Sequence, residues 1–499
     1  MLQSPWHRST AALLLASILL PPAGLVLLWL RPSGWLRKTA GSLGILLIAV
    51  GWMVFAFGLR FEMDGTGSRP IFHFGGAQSH YARLEESRAG QAKTPAPAPA
   101  PVTDTKAEAA QPTPTPYWTD FRGPMRDGRY TESPILTQWP AGGLRKLWKQ
   151  PVGGGYASFV VAGGRAFTIE QRRKQEAVTA YDVATGRELW FHAYDADFQE
   201  SMGGDGPRAT PTWHGGLVYS LGATGELRVL DEGSGKLKWS RNILSDNGAE
   251  NLQWGMAASP LIVDEKVVVQ PGGDRGRSFV AYNKLTGEPV WKSLDDRQAY
   301  TTPMLLTLAG RRQILSITAR RAVGLAPEDG TLLWDYPWTT EYDVNAAMPI
   351  PVDSNRIVLS SGYGHGAALV EISAKGSGFA ARTVWSNNRL KNKFNHSVLH
   401  DGYLYGLDEA ILACMDPRTG ELKWKGGRYG YGQLLLASGH LIVTTESGEV
   451  VLVRATPERH TEVARFQAIE GKTWNVPAID NGLLLVRNIN EMACFRLGP

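Results

Sequence analysis

Short apolar runs separated by turn residues dominate the chain from residue 144 onward. The runs come in pairs that small or polar residues join, as in LIVDEKVVV (261–269), SVLHDGYLYGL (397–407) and LLLASGHLIVTT (434–445). Paired short apolar runs around a tight turn are typical of antiparallel β-hairpins. The pattern therefore predicts an all-β region that is built from many short strands.

A nonapeptide repeats across this region and places a glycine four residues before a tryptophan. Its five clear copies are DVATGRELW (182–190), DEGSGKLKW (231–239), NKLTGEPVW (283–291), APEDGTLLW (326–334) and DPRTGELKW (416–424). Glycine supplies the positive φ of a tight turn, and tryptophan suits packing between neighbouring sheets. Because an apolar hairpin precedes each copy, each unit is predicted to be a four-stranded antiparallel sheet.

The two ends of the repeat region determine the predicted number of sheets. Seven units are complete, and residues 474–497 supply three further strands. The segment LRKLWK (144–149) can provide the missing fourth strand of that last sheet. Such sheets arranged radially form a β-propeller, and closure of the ring removes exposed strand edges. We predict eight blades; seven is the alternative, because the units that end at Trp385 and Phe466 are degenerate.

Two uncharged apolar segments precede the repeats. Residues 10–30 and 40–59 are each long enough to cross a hydrocarbon core of about 30 Å. The link between them carries three cations, and positive residues in short loops stay cytoplasmic. The sequence predicts a transmembrane helical hairpin over residues 1–60 in the inner membrane, with the rest of the chain on the periplasmic, extracytoplasmic side. A cleaved signal peptide and a re-entrant first helix, broken at Pro21-Pro22, are the alternatives.

A linker separates the membrane segment from the repeats. Residues 61–116 are predicted to be flexible, because their second half, from residue 94, is rich in Pro, Ala and Thr and cannot bury a core. Residues 117–143 form a lead-in segment, and residues 144–499 form the propeller. The linker would hold the propeller away from the membrane as an extended spacer.

Composition and charge narrow the functional classes. The hydrophobic share of 43% excludes a disordered chain, and two cysteines exclude a disulfide scaffold. Of the net charge of +5, residues 1–116 contribute +4 and the other 383 residues about +1. Nucleic-acid-binding domains concentrate positive charge on the folded part, because phosphate contacts drive their affinity. We therefore expect no nucleic-acid partner.

The D-x-x-T-G-x-x-x-W unit resembles the PQQ-like (pyrroloquinoline-quinone-type) β-propeller repeat. The resemblance covers residues 117–497 and includes YWTDFRGPMRDGRY (117–130), which is similar to a segment that precedes the propeller in many bacterial members. The superfamily contains the quinoprotein alcohol dehydrogenases and the non-enzymatic outer-membrane assembly lipoprotein BamB. The resemblance implies the propeller fold, but a fold does not decide between an enzyme and a scaffold.

The enzymatic members of the superfamily imply a site from which this sequence departs. They hold PQQ on the propeller axis, against a disulfide between adjacent cysteines and beside a calcium ion. Here Cys414 and Cys494 occupy equivalent positions of different blades, too far apart for a disulfide. His396 and His400 lie on a predicted hairpin, where four residues span about 13 Å. We predict no catalytic residue, no metal site and no cofactor, with PQQ and calcium as the alternative.

One register position at the start of the blades carries aromatic and amide side chains. Because the first strand of a blade lines the central channel, these residues are predicted to ring one mouth of it. The binding candidates are Tyr156, Arg208, Trp254, Tyr300, Asn345, Asn395, Tyr431, Trp474 and Asn475. Exposed aromatic rings with amide donors suit a peptide loop or a sugar polymer. The alternative is that the rings only pack between blades.

These observations favour a binding scaffold. A rigid disc on a membrane tether raises the effective concentration of whatever it binds. We expect a non-catalytic protein-interaction scaffold in cell-envelope protein assembly, with a monomeric propeller and an envelope protein or polymer as its partner. The alternatives are a PQQ-dependent alcohol or polyol dehydrogenase and a polysaccharide-binding propeller.

Overall fold

The computed structural model describes residues 9–63, 70–73, 77–93, 116–376 and 378–499. The chain divides into two compact units, Met1–His80 and Tyr81–Pro499. The predicted Pro-rich stretch from residue 94 to residue 115 lies outside the described residues.

The first unit contains helices and one small hairpin. Its helices are α1 (Thr10–Leu19), α2 (Pro21–Trp29) and α3 (Trp35–Phe55), and strands Arg60–Met63 and Pro70–His73 pair in antiparallel fashion. No single described helix covers the predicted first span, because Leu20 leaves the helical conformation ahead of two prolines. The backbone then turns back so far that a Cβ on Gly24 would lie 2.5 Å from the Cα of Ser17.

Helix α3 is the one described helix that is long and apolar enough to cross a membrane, with a mean hydropathy of 1.6. It begins and ends earlier than the predicted span over residues 40–59, so that Arg37 and Lys38 lie in its first turn. Helix α1 has only 10 residues, which reach about 15 Å at 1.5 Å per residue. The two-span hairpin and its re-entrant alternative therefore both stay predictions.

The second unit is an eight-bladed β-propeller with four antiparallel strands in each blade, as the repeat predicts. The strands of blade 1 are Val160–Ala162, Arg165–Arg172, Gln175–Asp182 and Glu188–Asp195. Those of blade 2 are Thr212–His214, Leu217–Leu221, Glu226–Asp231 and Leu237–Asn242. Those of blade 3 are Leu261–Val263, Lys266–Val269, Phe279–Asn283 and Pro289–Ser293. Those of blade 4 are Met304–Leu308, Arg311–Ile317, Arg321–Leu325 and Leu332–Pro337.

The degenerate repeat units also form complete blades, so the seven-bladed alternative is wrong. The strands of blade 5 are Ile350–Pro351, Arg356–Ser361, Gly366–Lys375 and Gly378–Asn387. Those of blade 6 are Val398–His400, Tyr403–Asp408, Ile411–Asp416 and Glu421–Arg428. Those of blade 7 are Gln433–Ala437, His440–Thr444, Glu449–Arg454 and Glu462–Gln467, with Arg129–Tyr130 added in parallel to the first.

Strands from both ends of the propeller sequence close the ring in blade 8. Its first three strands are Ala478–Asp480, Leu483–Arg487 and Glu491–Arg496, and the fourth is Arg145–Pro151. Trp148 pairs with Cys494 in this sheet. The predicted closure is confirmed, and it joins the two ends of the propeller in one hydrogen-bonded sheet.

The repeated tryptophan connects most blades to the next, whereas Trp334 bonds to Gln313 within blade 4. The indole of Trp190 in blade 1 packs on Gly235 in blade 2, and its Nε1 donates to the carbonyl oxygen of Glu232 at 2.9 Å. Trp239 makes the same contact with the carbonyl oxygen of Lys284 in blade 3. The spacing of the nonapeptide therefore reflects a contact between blades as well as a turn within one.

The lead-in segment crosses the channel axis and binds several blades. The guanidinium of Arg126 donates to the carbonyl oxygen of Pro303 at 2.8 Å, and also to the carbonyl of Pro260 and the hydroxyl of Thr212. On the other side, Arg122 donates to the carbonyl oxygen of Ser397 at 3.2 Å. The two buried arginines satisfy carbonyls at the inner ends of blades that face each other across the axis.

A helix within the predicted linker was not expected from the sequence. Helix α4 (Ala77–Lys93) is described, and its part from residue 81 onward packs on the propeller. Leu84 is buried, and the Arg88 guanidinium donates to the carbonyl oxygen of Pro151 at 2.8 Å and lies 3.1 Å from the Glu188 carboxylate. These contacts place the helix over the junction of blades 8 and 1.

Candidate functional site: an aromatic channel mouth

The first strands of neighbouring blades contact each other and therefore surround the channel axis. The lead-in segment lies at the end of the axis where these strands finish, since Val161 and Trp213 donate backbone hydrogen bonds to Trp118 and Thr119. The predicted binding residues precede the strands and lie at the opposite end, which we call the mouth. The lead-in segment thus covers one end of the channel, and the mouth is the other end.

Aromatic rings from consecutive blades contact one another at the mouth. The ring centroid of Phe394 lies 4.8 Å from that of Trp474 and 5.4 Å from that of Tyr431. Trp474 continues the series to Tyr156 at 5.4 Å. Such tilted pairs at 4.5–7 Å are the favoured arrangement of aromatic side chains. Four blades therefore share one continuous aromatic surface.

A second aromatic pair lies on the other side of the mouth, where Trp254 and Tyr300 have centroids 5.5 Å apart. Together the rings form what we call the aromatic collar. Its members are Tyr156, Trp254, Tyr300, Tyr363, Phe394, Tyr431 and Trp474. Most of these rings are half-buried, so they contact each other and also present an accessible face or edge.

Three cations stack on rings of the collar. The Lys472 ammonium lies 4.5 Å from the centroid of Trp474, and the Lys393 ammonium lies 4.7 Å from that of Tyr431. The Arg208 guanidinium lies 5.4 Å from the centroid of Tyr156. Stacked cations of this kind are attracted by the ring quadrupole and hold the rings in place.

The sequence-based candidates omitted Lys393, Lys472 and Tyr363. Lys472 and Lys393 are within two residues of predicted mouth residues in the sequence, so their proximity was a signal that could have been used. Tyr363 comes from the second-to-third-strand turn of blade 5, and no register argument on first strands could find it.

The three predicted asparagines lie beneath the mouth surface. Asn345 is 1% exposed, and its Nδ2 donates to the carbonyl oxygen of Thr318 at 3.0 Å. The Nδ2 of Asn475 donates to the carbonyl oxygen of Ala157 at 2.9 Å. Asn395 is fully buried and accepts a hydrogen bond from the Lys393 backbone. Their amides connect loops of the mouth, which differs from the exposed amide donors that we expected.

The carboxylate of Glu446 accepts hydrogen bonds from two residues of the collar. The indole of Trp474 donates to Glu446 at 2.8 Å, and the backbone of Tyr431 donates to the same carboxylate at 3.2 Å. Gln433 donates to the carbonyl oxygens of Phe394 and Trp474. Neighbouring blades are therefore joined at the mouth by side-chain hydrogen bonds as well as by ring contacts.

The phenols of Tyr300 and Tyr363 stay protonated in neutral solution, because the pKa of each is raised. Burial raises the pKa of Tyr300, and the nearby Arg208 opposes that shift. Burial also raises the pKa of Tyr363, with a further contribution from the neighbouring phenols. A ligand at the mouth would therefore meet neutral hydroxyl groups and cations.

The cysteines and histidines that the sequence analysis considered for a PQQ and calcium site lie in different parts of the propeller. Cys414 and Cys494 are both buried and unpaired, in blades 6 and 8. Among the described residues, no group of three or more His, Cys, Asp or Glu side chains could hold a metal ion. His396 is buried and accepts a hydrogen bond from the Met348 backbone, and burial holds its pKa well below the usual range. It belongs to the packing beneath the mouth.

Comparison with known proteins places this propeller in a family. A family model described as outer membrane protein assembly factor BamB matches residues 135–251 and 173–426. The outer membrane protein assembly factor BamB of Bordetella pertussis is 22% identical over 311 residues, which cover 60% of this chain and 72% of that protein. The dehydrogenase subunit of the quinone alcohol dehydrogenase of Gluconacetobacter polyoxogenes is 26% identical over 188 residues, 35% of this chain but only 25% of that protein.

A solved structure shows the same fold. The crystal structure of BamB from Moraxella catarrhalis superposes with a TM-score of 0.50 at 15% identity, over 71% of this chain and 98% of that one. The family model covers more than half of the present sequence, from the lead-in segment through blade 6. The chain therefore belongs to the PQQ-like propeller family described as outer membrane protein assembly factor BamB.

Proposed function

We propose that this protein is a membrane-anchored, extracytoplasmic scaffold that binds a partner protein and contributes to cell-envelope protein assembly without catalysing a reaction. The observation that carries the proposal is the aromatic collar at the end of the channel opposite the lead-in segment. Tryptophan, tyrosine and arginine side chains dominate the binding energy of protein-binding surfaces.

The family supports a role in assembly. The relatives from Bordetella pertussis and Moraxella catarrhalis carry the name BamB, and the former is called an outer membrane protein assembly factor. The partner of this chain is an envelope protein that presents a loop to the mouth, and the propeller itself is monomeric.

The first unit supplies the anchor in this proposal. Helix α3 crosses the inner membrane, and the cations that precede or begin it, Arg31, Arg37 and Lys38, stay on the cytoplasmic side. The propeller then lies in the periplasm. Alkaline phosphatase fused after residue 499 is expected to be active, and an inactive fusion with an active cytoplasmic reporter would contradict this topology.

The partner can be sought by crosslinking. The full chain in native membranes is crosslinked and purified, and its captured proteins are compared with those of the Trp254→Ala/Trp474→Ala variant. We expect an envelope protein that the wild type captures and the variant loses. The control is Trp139→Ala, which removes a half-buried indole of the lead-in segment away from the mouth. Equal capture by the wild type and the mouth variant would contradict the proposal.

The dehydrogenase and the polysaccharide-binding propeller, the two alternative functions, predict different results with the same purified protein. A dehydrogenase would oxidise an alcohol with a dye acceptor after addition of PQQ and calcium, whereas a scaffold would not. A polysaccharide-binding propeller would be retained on immobilised envelope polysaccharide. Retention that depends on Trp254 and Trp474, without any captured protein, would favour the polymer over the protein.

A further inference from the structure

Basic side chains converge in the cleft between blades 5 and 6. Arg389 and Lys391 come from the segment that connects these blades, and Lys425 and Arg428 come from the fourth strand of blade 6. We call these four residues the basic strip. The propeller sequence as a whole carries a net charge of about +1, so this concentration of cations is local.

Two contacts show that the two segments lie side by side. The ammonium groups of Lys425 and Lys391 lie 2.8 Å and 3.5 Å from the carboxylate of Asp408. The guanidinium of Arg389 donates to the carbonyl oxygen of Gly420, at the turn that leads into the same strand. Lys425 and Arg428 pair with Ala413 and Ile411 of the third strand, which are two residues apart, so both side chains leave the sheet on the same face.

The acidic groups nearby do not neutralise the strip. Asp408 is buried and is shared by two lysines. Glu409 and Glu421 also lie nearby in the sequence, but no carboxylate of the described residues forms an ion pair with Arg389 or Arg428. These two side chains are exposed.

The strip leads into the mouth. Lys393 follows Lys391 by two residues, and its ammonium stacks on Tyr431 and lies 5.0 Å from the centroid of Tyr363 in the collar. A partner peptide that binds along the basic strip toward the channel axis would therefore reach the aromatic collar.

We infer that the basic strip binds an acidic, extended segment of the partner protein, whose apolar end reaches the collar. This inference rests on the proposed function and adds the chemistry of the partner. Opposite charges arranged along two surfaces select the partner and speed its encounter. A peptide fits the cleft better than a lipid surface does, because the side chains of Lys391 and Lys425 are only 21% and 34% exposed between two blades.

The test uses the full chain in a neutral detergent. A fluorescein-labelled peptide of repeating Glu-Phe-Glu-Ala units and a matched peptide with Gln in place of Glu are titrated, with anisotropy as the readout. The variant is Arg389→Glu/Arg428→Glu. The control is Lys238→Glu, which changes the charge of an exposed lysine on the fourth strand of blade 2. Thermal unfolding of each variant checks that the fold is kept.

We expect the acidic peptide to bind the wild type and the control equally, to bind the variant at least about tenfold more weakly, and to lose affinity in high salt. Equal binding of the two peptides, or equal binding to wild type and variant, would overturn the inference. If the variant captures the same envelope partner as the wild type, the basic strip does not bind that partner. The scaffold proposal would still stand in that case.

A lipid surface is the competing occupant, and a second measurement separates it. The full chain is placed in nanodiscs of phosphatidylcholine, with and without phosphatidylglycerol, and hydrogen exchange is followed at residues 421–428. We expect no protection by phosphatidylglycerol and clear protection by the acidic peptide. If only the anionic lipid slows hydrogen exchange at these residues, the basic strip binds a membrane surface and the inference of a peptide partner is wrong.

Discussion

The guanidinium of Arg126 donates a hydrogen bond of 2.8 Å to the carbonyl oxygen of Pro303, which immediately precedes the first strand of blade 4. The same side chain forms an ion pair with Asp120 at 2.9 Å within the lead-in segment. A segment that precedes the propeller in sequence is thereby tied to the centre of the ring. Because the side chain is 3% exposed, its hydrogen bonds cannot be replaced by bonds to bulk water.

Replacement of Arg126 by methionine is expected to destabilise the propeller by about 2–4 kcal/mol. The substitution leaves the carbonyl oxygens of Pro260 and Pro303 without this donor and the Asp120 carboxylate without its cation. Urea unfolding of the full chain in detergent measures the change. Arg129→Met is the control, since Arg129 is exposed, and equal midpoints for the two variants would refute the role of Arg126.

Gly235→Ala is expected to lower the free energy of unfolding by more than an ordinary glycine-to-alanine substitution does. Gly235 has a φ of 66°, and an added Cβ would lie 2.5 Å from the indole of Trp190. Gly216 has a φ of 82° with open space around it, so Gly216→Ala measures the backbone cost alone, roughly 1 kcal/mol. The difference in unfolding free energy between the two variants reports the contact between blades. A difference near zero would show that Trp190 moves aside without cost.

Asp480 makes the stability of the propeller dependent on pH. Burial, with a further contribution from Glu132, raises the pKa of Asp480 from 3.8 to about 7, although it accepts a hydrogen bond from the Trp118 backbone. The folded state therefore binds a proton that the unfolded state has already released between about pH 4 and 7. Stability falls as the pH rises through this range and is constant above it.

Asp480→Asn is expected to remove the fall in stability that the wild type shows as the pH rises. Above pH 7 the variant should be more stable than the wild type by on the order of 2 kcal/mol, and near pH 4 the two should be similar. Unfolding midpoints at a series of pH values measure the difference. Glu132→Gln should shift the pH-dependent step of the wild type to lower pH. A difference that does not vary with pH would contradict the assignment to Asp480.

The fold was predictable because its signals are local. In each clear copy of the nonapeptide the glycine and the tryptophan are four residues apart, as are Gly235 and Trp239, and each copy marks one blade. The mouth was predictable only in part. The register of the first strands located Trp254 and Trp474, but rings and cations from other turns, such as Tyr363, complete the collar through contacts between blades.

Two other features could not be predicted because distant contacts determine them. The buried amides of Asn345 and Asn475 bind carbonyls of neighbouring loops, and a sequence does not show which polar residues will be needed there. Helix α4 has no pronounced apolar face, and its position depends on charges that blade 1 provides. Pro21 was visible in the sequence, but whether it kinks or reverses a membrane helix depends on packing.

Arg88→Ala is expected to release the docked part of helix α4 without unfolding the blades. The substitution removes the hydrogen bond to Pro151 and the 3.1 Å ion pair with Glu188, and it also removes a cation that lies 5.1 Å from the ring of Tyr181. Glu188 keeps Arg172 as a partner, so the blade itself retains its charge balance. Hydrogen exchange at residues 81–91 should accelerate at least about tenfold, while exchange in the first strands stays unchanged. Arg83→Ala is the matched control, because Arg83 is exposed on the same helix. Equal exchange in the two variants would mean that Leu84 and its apolar contacts hold the helix without help from the ion pair.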